Sequence, residues 1–123
     1  MITQLLRSLF RRPPTTITPR EAHSTTQHGP ALLLDVREAQ EWQAGHAPQA
    51  RHIPLGQLES RLAELPRDRQ IIAVCRSGRR SALATQQLNA HGYTAVNLAG
   101  GMTSWAAAGL PVVAGRSRGG RIR

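Results

Sequence analysis

Ile71-Ile72-Ala73-Val74-Cys75-Arg76-Ser77-Gly78-Arg79-Arg80-Ser81 is the stretch that decides how this 123-residue chain folds. Four consecutive apolar residues match a strand buried on both faces better than one with a wet side, which would alternate. A short basic turn follows. Arg79 to His91 then has the pattern of a helix, and Gly92 stands where a left-handed C-terminal stop belongs. The stretch therefore reads as strand, turn and helix, with Cys75 at the carboxyl end of the strand.

Other segments repeat the alternation. Leu32-Leu33-Leu34-Asp35-Val36 and Ala95-Val96-Asn97-Leu98 are buried-type runs, and Arg51-His52-Ile53-Pro54 is a weaker one. Thr18 to His28, Glu38 to Ala44, Leu55 to Leu65 and Met102 to Ala107 read as helices, the first opened by a Thr18 cap and by Pro19 at the first helical position. Apolar strands alternating with helices predict an α/β domain whose parallel sheet is covered on both faces. Sites in such sheets form at the carboxyl ends of strands, so Asp35 and Cys75 should share one rim. The domain is expected over residues 15–114. Residues 1–14 read as a basic amphipathic appendage and residues 115–123 as a flexible Arg/Gly-rich tail.

The formal charge of +9 sits mostly in these two ends. Residues 1–20 and 115–123 carry four arginines each and no acid, whereas residues 21–114 set eight arginines against seven acids. The folded part is nearly neutral. Its few aromatics offer little stacking surface, so no specific nucleic-acid partner is expected. Ile2, Leu5, Leu6, Leu9 and Phe10 recur at helical spacing beside Arg7, Arg11 and Arg12, and Pro13-Pro14 ends the pattern. Peripheral membrane contact through residues 1–12 is one reading of that stripe. An organelle transit peptide, docking on the domain itself or on a second subunit, and a frayed end are the others.

No lysine occurs, which removes Schiff-base and P-loop lysine chemistry. One cysteine removes an internal disulfide, a Cys-x-x-Cys redox pair and a cysteine-rich zinc site. His23, His28, His46 and His52 lack companions at metal-ligand spacing, so no metal is expected. Any covalent species on Cys75 must be resolved from outside, which suits a reducing, cytoplasmic setting.

The turn after Cys75 has the makings of an anion site. A helix starting near Arg79 presents unpaired N–H groups. Gly78 lets the backbone crowd amides toward one point. Arg76 and Arg79 can attract an anion, and Arg80 or Ser81 can brace the loop from behind. A free thiol ionises near ~8.5, and such surroundings lower that value. Cys75 is therefore the candidate nucleophile, with Arg76, Ser77, Gly78, Arg79 and Arg80 as its cradle. An ordinary buried cysteine would not require such a loop.

Three stretches together resemble the single-domain rhodaneses, the thiosulfate-type sulfurtransferases. Leu34-Asp35-Val36-Arg37-Glu38, Glu41-Trp42 and Gly45-His46-Ala47-Pro48-Gln49-Ala50-Arg51-His52-Ile53-Pro54-Leu55 are similar to the family's first signature. Cys75 to Ser81 resembles its active loop. Asn97-Leu98-Ala99-Gly100-Gly101-Met102, Trp105 and Ala108-Gly109-Leu110-Pro111-Val112 resemble its closing signature. The likeness implies a five-stranded parallel sheet and ping-pong transfer of sulfane sulfur. In that scheme thiosulfate loads Cys75 as a persulfide, and cyanide, a cellular thiol or a protein acceptor takes the sulfur, with no metal or organic cofactor. This chain's basic residues directly after the cysteine resemble those of family loops that favour dianionic thiosulfate over monoanionic mercaptopyruvate.

Two other functions also use a cysteine in such a loop. A Cys-x5-Arg phosphatase or arsenate-reductase loop fails at residue 81, which is serine, because Arg80 comes one position early; Val74 also stands where histidine is usual. A sulfur carrier without turnover, loaded by a partner protein, uses the same thiol and stays open. Asp35, Arg37 and Glu41 are supporting candidates. A carboxylate at the rim can hold Arg80, or Asp35 and its neighbours cap the helix from Glu38. His46, Trp42 and Trp105 read as packing residues.

Overall fold

A computed structural model of the chain describes residues 16–115, 117, 118, 120 and 122. The expected appendage, with its amphipathic stripe, lies outside the described residues. Five strands form one sheet: β1 (Thr16–Ile17), β2 (Leu32–Asp35), β3 (Arg51–His52), β4 (Gln70–Val74) and β5 (Thr94–Leu98), in the order β1-β5-β4-β2-β3. Every pairing is parallel, so each strand ends at the same rim. The crossovers carry α1 (Pro19–Gln27), α2 (Ala39–Ala44), α3 (Leu55–Leu58) with a following 3-10 turn (Glu59–Glu64), α4 (Arg79–Ala90) and α5 (Gly101–Ala107).

Strand parity divides the core in two. Leu32, Leu34, Ile71, Ala73, Cys75 and Ala95 face one side, where Leu58, Ala84 and Leu88 of α3 and α4 cover them. Leu33, Ile72, Val74, Val96 and Leu98 face the other, under Ala22 of α1 and Met102 and Trp105 of α5. Each fully buried Leu or Ile contributes roughly 1.5–3 kcal/mol, so the central strands β4 and β2 hold the molecule together. The α/β sheet with helices on both faces agrees with the expectation.

Three details differ from the sequence reading. The two residues of β1 are too few to show a period, and the strand exists because it adds to the edge of β5. The helix expected over Leu55–Leu65 shortens to one α turn and then a 3-10 segment with Arg61 at φ −118°. The Arg61 guanidinium there binds Gln57 and Glu64, and the Tyr93 hydroxyl donates to the Leu62 carbonyl at 2.6 Å. Those side-chain bonds replace the regular ladder. The segment expected to be a flexible tail also joins the domain in part. β6 (Val113–Ala114) pairs antiparallel with β7 (Ser117–Arg118), and Ile122 packs on the second core cluster.

Candidate active site

Period-two alternation along β4 places Cys75 on the same side as Ile71 and Ala73, beneath the start of α4. The chain must reverse direction between the two elements, and Gly78 allows it with φ +115°, a conformation L-residues avoid. As a result the first turn of α4 folds over the thiol. Cys75 Sγ accepts hydrogen bonds from the Gly78 amide at 3.1 Å and the Ser81 hydroxyl at 3.2 Å. The residue is only 2% exposed, so the sulfur lies at the floor of the loop. Burial pushes the thiol pKa up, but the Ser81 hydroxyl and the amides of Ser81, Gly78 and Ser77 outweigh it and hold the value below that of an ordinary cysteine.

Those donors are amides and one hydroxyl; no described guanidinium donates to the sulfur. Arg76, Ser77 and Arg79 are exposed at the mouth, and Gly78 and Arg80 are half-buried. Ser81 does more than brace the loop, because it donates to the thiol directly. Its position was the available signal: the third residue of a helix is where a group at the helix start finds its hydrogen bond.

The arginines divide sharply. Arg20, Arg51, Arg67 and Arg69 donate to the carbonyls of Ala108, Glu64, His91 and Pro30. Arg37, Arg61 and Arg80 pair with carboxylates. Among the described side chains only Arg76 and Arg79 have neither kind of partner, and both flank the loop. Positive charge at a helix start is unfavourable unless an anion offsets it. For Arg80 that anion is Glu41, which it grips through both nitrogens at 2.6 and 2.9 Å. The hydrogen bonds from Arg80 hold the Glu41 carboxyl down to about 2.

The three supporting candidates therefore separate. Glu41 holds Arg80, and it also accepts the Glu38 amide at the start of α2, so the capping considered for Asp35 falls to Glu41. Asp35 instead binds Arg37, taking its amide, Nε and Nη2 at 3.1, 2.9 and 2.7 Å. Both are fully buried, and Arg37 also donates to the Gly45 carbonyl. The pair fixes the turn after β2 and makes no hydrogen bond to the cysteine loop among the described residues. Trp42 stacks on His46 at 3.6 Å and His52 at 4.8 Å, and the fully buried Trp105 donates to the Pro111 carbonyl. These are packing roles. Among the described residues no group of three or more His, Cys, Asp or Glu is arranged to hold a metal ion.

The loop has a rigid back. Met102 and Thr103 amides donate to the Cys75 and Arg76 carbonyls at 2.8 and 3.1 Å. Gly101, at φ +61°, makes this approach possible, since a Cβ there would stand 2.5 Å from the Cys75 carbonyl oxygen. A cysteine at the end of a central parallel strand, roofed by a helix start and backed by a paired glycine turn, coincides with a match of residues 18–108 to the Rhodanese-like domain. The chain belongs to the rhodanese-like family.

Similar proteins agree. A sulfurtransferase of Allochromatium vinosum is 43% identical over 84 residues, covering 68% of this chain and 78% of that protein. A rhodanese-related protein of Thermoplasma volcanium superposes with a TM-score of 0.75 at 31% identity, covering 80% of this chain and 97% of that one. A thiosulfate sulfurtransferase of Pseudomonas aeruginosa gives 0.76 at 28% identity, over 92% of this chain and 22% of that one. Other curated relatives are longer; the rhodanese-like chain spans 40% of one and 45% of another. Among its described residues no helix is long and apolar enough to cross a membrane.

Proposed function

We propose that this rhodanese-like chain moves sulfane sulfur from thiosulfate to a thiophilic acceptor through a persulfide on Cys75. The observation that carries the reading is the thiol's bonding to the Gly78 amide and Ser81 hydroxyl beneath the N-terminus of α4. The thiolate attacks the outer sulfur of thiosulfate. The sulfur–sulfur bond of the donor breaks, and its electron pair leaves with sulfite. The new persulfide carries its charge on the outer sulfur, among the same amide donors. Cyanide or a thiolate then attacks that sulfur, and the bonding pair returns to Cys75. Arg76 and Arg79 supply uncommitted positive charge for a dianionic donor, and the likeness to a thiosulfate sulfurtransferase supports that choice. The chemistry draws on no metal or organic cofactor, and a reducing compartment such as the cytoplasm suits a thiol without an internal partner.

The test is intact mass after incubation with thiosulfate. The chain should gain one sulfur atom, and Cys75→Ser should gain none. An unchanged mass across a range of pH overturns the reading. Steady-state sulfite release separates an enzyme from the carrier alternative, which loads from a protein persulfide but turns over thiosulfate poorly.

A further inference from the structure

Asn97 is the one amide side chain in the strand Thr94-Ala95-Val96-Asn97-Leu98, whose buried residues are all apolar. It shares the parity of Ala95, so it faces the side of the sheet on which Cys75 lies. β5 pairs with β4, Asn97 opposite Ala73. From there its Nδ2 donates to the Gly78 carbonyl at 3.0 Å. Its Oδ1 is buried and has no partner among the described residues.

Both halves of this amide bear on the thiol. Gly78 occupies φ +115°, ψ −11°, and in that conformation its N–H points at Cys75 Sγ. Its carbonyl already accepts the Ala82 amide as the first bond of α4. A second donor from the neighbouring strand fixes the carbonyl from the sheet side, so the glycine cannot rotate without breaking both bonds. The unpartnered Oδ1 is a standing cost, since a buried acceptor has lost its water. A leucine has the same branched outline, with larger terminal groups and no such cost. A local rule broken in this way, next to the loop, is what a residue kept for function looks like.

We infer that Asn97 is a positioning residue for the sulfur-transfer loop: it locks the left-handed Gly78 so that the Gly78 amide stays aimed at the Cys75 sulfur. The inference rests on the sulfurtransferase reading for its purpose but not for its geometry. Neither β5 nor α5 brings an ionisable group to the thiol. The charged groups around it are Arg76, Arg79, and Arg80 with Glu41 and Glu38, while Asp35 and Arg37 are closed on each other. Asn97 therefore acts on the thiol through the backbone and not through charge.

The experiment compares the full chain with Asn97→Leu and Asn97→Ala. It reads the pH dependence of Cys75 alkylation by iodoacetamide, thermal unfolding, and sulfur uptake from thiosulfate. In Asn97→Leu the alkylation midpoint should rise by about half a unit to one unit. Alkylation at neutral pH should slow about threefold to tenfold, with a melting temperature equal to or above that of the parent. Asn97→Ala should raise the midpoint likewise while lowering the melting temperature. If both variants titrate like the parent, the inference is wrong, whatever happens to stability. If the midpoint rises only in proportion to lost stability across the two variants, Asn97 is merely structural and the inference is again wrong. A parent chain that takes up no sulfur, together with variants whose midpoints rise, would sink the sulfurtransferase reading and leave the positioning role standing.

Discussion

The ends of β2 and β4 are neighbours on one rim, with Asp35 in register with Val74, and they are put to opposite use. Each strand runs into a turn that contains an arginine directly after the first turn residue: Val36-Arg37 in one case, Cys75-Arg76 in the other. After β2 the charges close on each other. Asp35 and Arg37 are fully buried and joined by four hydrogen bonds, and Arg37 Nη1 alone of that guanidinium has no partner among the described residues. After β4 the donors converge on a single sulfur, and the two arginines at the mouth keep their charge free. The same backbone position becomes a clamp where a carboxylate lies within reach of the arginine, and at the other end leaves an arginine without such a partner among the described residues.

The largest effect should come from breaking the closed end. Asp35→Ala leaves the Arg37 guanidinium buried without a counter-charge, and chemical denaturation should show a loss of about 3–5 kcal/mol. A loss under about 1 kcal/mol would mean the pair contributes little to the turn. Next comes the back of the open end. Gly101→Ala forces a Cβ toward the Cys75 and Arg76 carbonyls from a left-handed backbone. It should cost about 1–3 kcal/mol and most of the sulfur uptake. Gly56→Ala, where a Cβ meets nothing within 4 Å, is the control and should leave uptake intact.

The mouth should respond more mildly and only in binding. Arg76→Ala and Arg79→Ala should each raise the KM for thiosulfate, by on the order of tenfold at low salt, with unfolding unchanged and the difference shrinking as salt is added. Unchanged kinetics in both variants would remove these arginines from the site. The smallest effect belongs to the bridge between the two ends. Arg80 is about a third exposed, so its pair with Glu41 contributes roughly 0–1 kcal/mol after screening. Because the Glu41 pKa is depressed in the fold, that support is present above the ordinary carboxylate value of 4.5 and is lost as pH falls toward about 2. Urea titrations of the parent and Glu41→Gln should therefore differ at neutral pH and converge in acid.

Much of this was legible in the chain. Long apolar runs such as Ile71 to Val74 have few alternatives to a central parallel strand, and a Cys-Arg-Ser-Gly-Arg-Arg turn before a helical pattern has few alternatives to an anion loop. What stayed hidden depends on contacts between distant segments. Two residues at Thr16–Ile17 become a strand only because β5 offers an edge. Arg80 could have met either Asp35 or Glu41, and only the packing of α2 against the rim decides for Glu41. Ser81 lay in plain view in the loop. Its bond to the sulfur required knowing that the helix starts at Arg79, which puts residue 81 in the first turn.

The most direct test is a titration of thiolate absorbance in the unmodified chain, read against Cys75→Ser, since a single cysteine leaves no second thiol to titrate. The account predicts a midpoint below the ordinary thiol value of about 8.5 and a rise in that midpoint when Ser81→Ala removes the hydroxyl donor. A midpoint at or above the ordinary value, unmoved by Ser81→Ala, would contradict it.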